Sequence, residues 1–307
     1  MIYNKGKFYI ERIKVHYIIV SEARLKGNGG KKLKDVENVF RKAGIQYELI
    51  RTRDKEDAKA ATEKITLQSG NNAIITMGGD GTLHDIINGF KSFENCSLGL
   101  IPFGTGNDFA ATAGIPKNHK KAAEIIAYGK PRNIDFIELS SGLRSINSVG
   151  MGIDVDVLQR TYAANKKGKG KYLRSLISSL IHFKSCNFTV EYDGKEEKHF
   201  GLIAALGNGK QFGGGIKLFP EAKLDDGYLD LFMVDYISKP KMIGAFLKLM
   251  RGKVNKIKNV TIVKTKAARF YNESENYYIQ AEGELYKNVA IDAHIVEGKL
   301  RFYLPTD

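Results

Sequence analysis

Cysteine is almost missing from this chain: Cys96 and Cys186 are the only two in 307 residues. Two thiols so few and so far apart suit a reduced, cytosolic protein rather than a disulfide framework. Histidine is sparse too, with six scattered copies, so no Cys/His cluster has the spacing of a zinc site. No apolar run reaches the roughly 18 residues that a membrane-spanning helix needs. The opening MIYNKGKFYIERIK lacks the apolar core of a signal peptide and reads as an extra edge strand or a poorly ordered leader. Two nucleotide motifs are also missing. Gly79-x-Gly81 and Gly104-x-Gly106 lack the third glycine of GxGxxG, and GxxxxGK[ST] does not occur, which excludes a standard dinucleotide fold and a P-loop. Finally, acid is absent from two long stretches. Val157–Val190 has no Asp or Glu against seven Lys/Arg, and Ile237–Tyr271 has none against ten. With a net charge of +14, such stretches attract the phosphates of nucleotides, nucleic acids or anionic lipids, or form plain solvated surface. No RNP, zinc or helix-turn-helix signature accompanies the charge, so nucleic acid is not the expected partner.

What is present is 43% apolar residues and 32 glycines, which suits a folded, loop-rich chain long enough for two domains. Val15–Val20, Gln46–Ile50, Ala73–Met77 and Leu98–Ile101 read as strands, and Lys32–Lys42, Glu56–Leu67 and Lys120–Ala127 as helices. This alternation predicts a mainly parallel, doubly wound sheet with its ligand at the carboxyl ends of the strands. Gly-rich segments at Lys26–Lys31, Gly78–Gly81 and Gly104–Gly106 each follow a predicted strand, so they can share one crevice. After about residue 137 the pattern becomes short alternating runs separated by turns, from Arg144–Val149 to Val289–Ile295 and Leu300–Leu304. That predicts an antiparallel β-sandwich or open barrel with a few inserted helices. One insert, Tyr172–Phe183, places Leu173, Leu176, Ile177, Leu180 and Ile181 on one helical stripe. The stripe faces the core or lies on a membrane.

The stretch Ala73–Gly114 organises the rest. It repeats one design: a buried strand, a Gly-rich turn carrying an Asp, then a helix. Such turns offer backbone N–H groups to phosphate. Thr82 and Asp85 predict a capping box on the first helix, and Asn107 or Asp108 a cap on the second. Asp80 and Asp108 beside a phosphate suit a bridging Mg²⁺ or a Lys.

At Gly78–Thr82 (GGDGT), Pro102–Ala110 (PFGTGNDFA), Lys223–Asp230 (KLDDGYLD) and Glu282–Glu284 (EGE) the chain resembles the soluble bacterial diacylglycerol-kinase-like lipid kinases. These are related to sphingosine and ceramide kinases and more distantly to NAD kinases. The resemblance spans about Val15 to Leu304 and implies α/β plus β architecture. A nucleotide-binding α/β domain would occupy residues 1–136 and a lipid-substrate β-sandwich residues 137–296, with a last strand in 297–307 free to return to the first domain. It implies ATP lined by Gly78, Gly79, Asp80, Gly81, Thr82, Leu83, His84, Asp85 and Thr105, with Ser21 and the turn to Leu25, and Thr52. It implies a charge network of Lys26, Asp80, Asp108 and Asp135, and a structural Mg²⁺ held by Asp226 and the carbonyls of Lys223 and Tyr228. Asp226-Gly227 is also an ordinary turn. Glu284 would be the general base, and EGE alone would be an acidic turn. The chain departs from the family in its first turn, Ser21-Glu22-Ala23-Arg24-Leu25 instead of Asn-Pro-x-Ser-Gly. It also has His84 and Asp85 in place of Asn and Glu, and Glu282 in place of Asp.

The expectation is thus a cytoplasmic, peripherally membrane-associated phosphotransferase using ATP and Mg²⁺, with diacylglycerol as acceptor and affinity for anionic lipid. A homodimer stays open. Two alternatives remain: a kinase of a soluble substrate such as NAD, and a non-catalytic basic lipid-binding protein.

Overall fold

A computed structural model describes residues 15–164, 170–272 and 277–306. The leader 1–14, the cluster Lys166, Lys167 and Lys169, and the Leu173 side chain lie outside the described residues. The first half runs β1 (His16–Ser21), α1 (Glu22–Leu25), α2 (Gly29–Lys42), β2 (Tyr47–Thr52), α3 (Lys55–Thr66), β3 (Asn72–Gly78), α4 (Asp80–Gly89), β4 (Cys96–Pro102), α5 (Asp108–Thr112) and α6 (His119–Tyr128). The second half runs β5 (Pro131–Leu139), β6 (Arg144–Ser145), β7 (Ser148–Gly152), α7 (Ile153–Ala163), α8 (Gly170–His182), β8 (Cys186–Tyr192), β9 (Lys195–Gly207) and β10 (Leu229–Asp235). It continues with α9 (Lys239–Met250), β11 (Val260–Thr265), β12 (Ala267–Tyr271), β13 (Tyr278–Ala281), β14 (Glu284–Lys287) and β15 (Ile291–Tyr303).

Strands β2-β1-β3-β4 pair in parallel. Every residue of β3 and β4 is buried, as befits central strands covered on both faces. The remaining strands are antiparallel and wrap into the predicted β-sandwich, β12-β8-β9-β7-β13-β14, with β10 and β11 added at β9. Strand β15 joins the halves. It pairs antiparallel with β5 and β12, and its end lies parallel to β4 at Arg301–Ser97 and Phe302–Leu98. The runs expected as two strands, Val289–Ile295 and Leu300–Leu304, are therefore one strand, because an irregularity between Val296 and Leu300 absorbs the glycine.

Two local expectations fail. Ser21–Leu25 is not a loop but leads into a helical turn, α1, so the Lys26–Lys31 segment follows a helix rather than a strand. Arg24 ties α1 to the second Gly turn by donating to the Phe103 carbonyl at 3.0 Å. The capping box does not form either. Helix α4 begins at Asp80 with Gly79 as its N-cap and no side-chain cap. Thr82 instead packs against Gly78, where a Cβ would lie 2.6 Å from its own. Asn107 does sit at the N-cap of α5, but its side chain bonds Gly104 in both directions. Both thiols are free, as expected.

Candidate active site

The two Gly-rich turns touch backbone to backbone. A Cβ on Gly79 would stand 2.8 Å from the Gly104 Cα, and one on Gly104 would stand 2.6 Å from the Gly79 Cα. The Phe103 N–H donates to the Gly78 carbonyl at 2.6 Å across the same contact. Glycine is therefore needed here for close approach. The uncapped start of α4 leaves its first-turn N–H groups facing the crevice, with the positive end of the helix dipole behind them.

This contact brings the two aspartates together. A Cβ on Gly106 would lie 3.1 Å from Asp80 Oδ2 and 3.7 Å from Asp108 Oδ2. Asp80 Oδ1 accepts the Phe109 N–H at 3.2 Å. Asp108 is buried and accepts from Gln211 Nε2 at 3.1 Å and from the Gly214 N–H at 2.7 Å. Burial raises its carboxyl above the usual range, the Gly214 N–H opposes this, and the Asp80 charge adds to it.

A second wall comes from the β13–β14 turn, held by β13 pairing with β7. Glu282 and Gly283 have φ of 52° and 82°, so the turn reverses tightly and points its two glutamates apart. The Glu282 carboxylate turns inward, accepting from Ser145 Oγ at 2.5 Å and the Asn147 N–H at 2.6 Å. Burial pushes it up to about 7, with the Asp80 charge adding to the rise. Glu284 is exposed to solvent, and its Oε1 stands 3.7 Å from where a Gly81 Cβ would be. The acid two hundred residues downstream thus faces the first turn of α4. The Gly283 carbonyl accepts from Tyr162 of α7 at 2.7 Å. On β14, Tyr286 shares a 2.5 Å hydrogen bond with His84 Nε2 of α4. Burial lowers His84 to about 4, so the ring is neutral. Burial also raises Asp85 to about 6, opposed by Lys59 and assisted by Glu284.

The crevice holds about 1210 Å³ of open space between Asp80, Asp108, Glu282 and the Gly213–Gly214 loop. Beside it lies an apolar pocket covered by α7, α8 and α9. Tyr172 and Phe212 line both spaces. Asp154 is buried at the pocket wall, and burial pushes it up to about 7 against the opposing Val155 amide and Gln280 side chain.

Ser21 and Thr52, also expected at the nucleotide, are register partners at the carboxyl ends of β1 and β2, with Thr52 buried. Lys26 is exposed just past α1 and Thr105 is exposed on the crevice wall, whereas the Leu83 side chain is in the core. Asp135 is buried with its carboxylate accepting the Gly227 and Gly298 N–H groups at 2.8 and 2.7 Å, so it ties β5 to the Lys223–Asp230 loop. In that loop Asp226 accepts from Lys264 Nζ at 2.7 Å and from the Tyr228 N–H at 3.2 Å. Lys264 already supplies a cation there. Among the described residues no group of three or more His, Cys, Asp or Glu is placed to hold a metal. The Asp80–Asp108 pair offers two hard oxygen donors of the kind Mg²⁺ takes. Reading the sequence missed Ser145, Tyr162, Gln211, Gly214 and Tyr286. Their contacts span 103 to 202 residues, and no local pattern signals them.

Residues 16–139 match the family model of the diacylglycerol kinase catalytic domain. Residues 147–304 match the YegS C-terminal NAD kinase beta sandwich-like domain. The chain is 31% identical to a diacylglycerol kinase of Bacillus subtilis, covering 83% of this chain and 84% of that one. It is 30% identical to a diacylglycerol kinase of Staphylococcus saprophyticus, covering 76% and 77%. A crystal structure of a diacylglycerol kinase from Bacillus anthracis superposes with a TM-score of 0.72 at 21% identity, over 95% of this chain and 97% of that one. At that identity it supports the fold.

Proposed function

We propose, from the premise that the chain belongs to the diacylglycerol kinase and YegS-like lipid kinase family, that it transfers the γ-phosphate of ATP to a lipid hydroxyl. The acceptor in this reading is diacylglycerol and the product phosphatidic acid. One observation supports it: Glu284 stands against the first turn of α4, its Oε1 3.7 Å from where a Gly81 Cβ would be, one residue from Asp80. In this reading a carboxylate beside a phosphate-binding turn is placed to take the proton of an attacking hydroxyl.

The first-turn N–H groups of α4 and the Gly104–Gly106 turn cradle the phosphates, with Ser21, Thr52, Thr105, Lys26 and Asp85 at the borders of the nucleotide. Asp80 and Asp108 would hold Mg²⁺, which would supply positive charge against the developing phosphate charge. Glu284 takes the proton of the acceptor hydroxyl. The lipid oxygen forms its bond to the γ-phosphorus as the bond to the β–γ bridging oxygen breaks, and ADP leaves. Glu282 stays clear of the reaction and fixes the turn that carries Glu284. The apolar cavity beyond Tyr172 and Phe212 takes acyl chain, which favours a lipid acceptor over NAD. Residues 1–136 then form the nucleotide domain and 137–296 the lipid domain, with the last strand returning to the first. The protein works at the membrane surface. Among the described residues no helix is long and apolar enough to cross a bilayer.

The test supplies labelled ATP and Mg²⁺ with vesicles containing diacylglycerol, with NAD, or with neither. Label in phosphatidic acid supports the reading, and label in NADP alone overturns it. Glu284→Gln should keep ATP binding and lose about 10²–10⁴ of the turnover, the range of a positioned base.

A further inference from the structure

Helix α7 runs from the apolar pocket to the turn that carries Glu284. It gives Ile153, Asp154 and Val157 to the pocket wall and Leu158 to the crevice, and its Tyr162 reaches the β13–β14 turn. Asp154, Leu158 and Tyr162 stand at i, i+4 and i+8, so one face of the helix follows the whole path. At the pocket end α7 is seated closely against β7 and β13. A Cβ on Gly150 would lie 2.5 Å from Asp154 Oδ2 and 3.3 Å from Gln280 Nε2. At the far end both polar groups of Gly283 are held by side chains. Its N–H donates to Gln280 Oε1 at 3.1 Å, and its carbonyl accepts from Tyr162 at 2.7 Å. That carbonyl belongs to the peptide group that leads into Glu284. Strand β14 beyond it pairs with β13 alone, so the ladder fixes it from one side only. Burial raises the Tyr162 hydroxyl above its ordinary value and the Glu284 charge adds to the rise, which keeps the hydroxyl a donor. On α8 the expected single stripe is split: Leu176 and Leu180 pack on the pocket, whereas Ile177 and Ile181 are exposed.

We infer that Tyr162 is a positioning residue through which α7 reports an acyl chain in the pocket to Glu284. A long chain packed on Ile153 and Val157 holds α7 in place. Tyr162 then holds the Gly283 carbonyl, and with it the direction in which Glu284 leaves the turn. Contacts made far from the reacting hydroxyl thus appear in the rate of transfer and not in binding alone, because they orient the base. A short-chain acceptor offers the same hydroxyl to the same base but does not fill the pocket. The acceptor class selected is therefore a glyceride with at least one long acyl chain, and the selection is made in kcat. This consequence rests on the lipid-kinase reading. The link from pocket to turn does not, and it is read separately.

The test compares wild type with Tyr162→Phe, a change at a half-exposed ring, after circular dichroism and melting show an unchanged fold. Dioleoylglycerol and dibutanoylglycerol are each presented at saturation in nonionic detergent micelles with labelled ATP and Mg²⁺. In wild type kcat should be at least about tenfold higher for the long-chain acceptor, as expected when remote contacts are realised in the transition state. In Tyr162→Phe that ratio should fall to about one, with the KM for ATP as in wild type. Hydrogen exchange is followed in parallel on the β13–β14 hairpin. Dioleoylglycerol micelles should slow it in wild type relative to empty micelles, and not in the variant. A wild-type ratio near one overturns the inference, as does a variant that keeps the wild-type ratio while both rates fall equally, which would make Tyr162 plain support. If wild type phosphorylates neither glyceride, the kinase reading fails and exchange alone reads the link: slowing that the variant loses upholds it, and no slowing in wild type overturns it.

Discussion

Glu282 and Glu284 sit two residues apart in unlike surroundings, and this divides their roles. Glu284 is exposed, whereas Glu282 is gripped by Ser145 and the Asn147 amide. Glu282→Ala would take the side-chain acceptor from the Asn147 amide, while the Ser145 hydroxyl keeps the Ser148 carbonyl at 2.9 Å; a buried orphan costs about 1–3 kcal/mol. We expect turnover to fall because the turn carrying Glu284 loosens, with Glu282→Gln recovering part of it through its remaining acceptor; kcat and KM measured for both variants check this. Asp154 gives a cleaner measurement. Burial raises it from 3.8 to about 7. An acid raised on folding holds its proton more tightly in the folded state. Its contribution is therefore fully favourable below about pH 4 and is lost as pH climbs toward about 7. A tenfold change in proton affinity between the folded and unfolded chain is worth about 1.4 kcal/mol. Asp154→Asn, which cannot ionise, should match wild type at pH 4 and be more stable by a few kcal/mol at pH 8. Urea unfolding at both pH values reads the difference.

At the scale of elements, a side-chain hydrogen bond joins helix α4 to the β13–β14 hairpin, between His84 of α4 and Tyr286 of β14. Asn88 holds the ring from behind at Nδ1, 3.3 Å away, and bonds the Arg144 backbone with the rest of its amide. Both partners are neutral near pH 7, so the bond is worth about 1 kcal/mol. Tyr286→Phe should lower kcat several-fold with little change in the KM for ATP, as steady-state kinetics would show. Much of this level was legible in the sequence. The Gly78–Gly81 and Gly104–Gly106 turns and the buried strands before them are local patterns, and they stand where the residues put them. Helix α9 was not legible, because apolar residues on two faces blur the 3.6-residue period. Strand β14 is four residues long and falls below any periodic signal. The partners of Glu282, Gly283 and His84 are set by strand pairing across the molecule, which local spacing does not encode.

The whole molecule is coupled through β15. Its first part puts Ile291, Ala293 and Ile295 into the sandwich core, and its end puts Leu300 and Phe302 into the core of the parallel sheet. Between them, the Gly298 N–H donates to Asp135, whose other oxygen holds Gly227 of the β10 approach. One strand therefore contributes to two cores and to the loop between them, so the halves should not unfold separately. Phe302 is fully buried and packs edge-on to Phe109, 5.0 Å between centroids, next to Asp108. Phe302→Ala should cost about 3–5 kcal/mol, the usual range for losing a buried ring. The chain has no tryptophan, so exposed Tyr128→Trp on α6 and Tyr236→Trp before α9 each report one half without background. If β15 couples the halves, both probes follow one urea transition, and Phe302→Ala moves both midpoints together. A shift seen only by the tryptophan at 128 would mean that the sandwich folds independently of the strand end that returns to the first sheet.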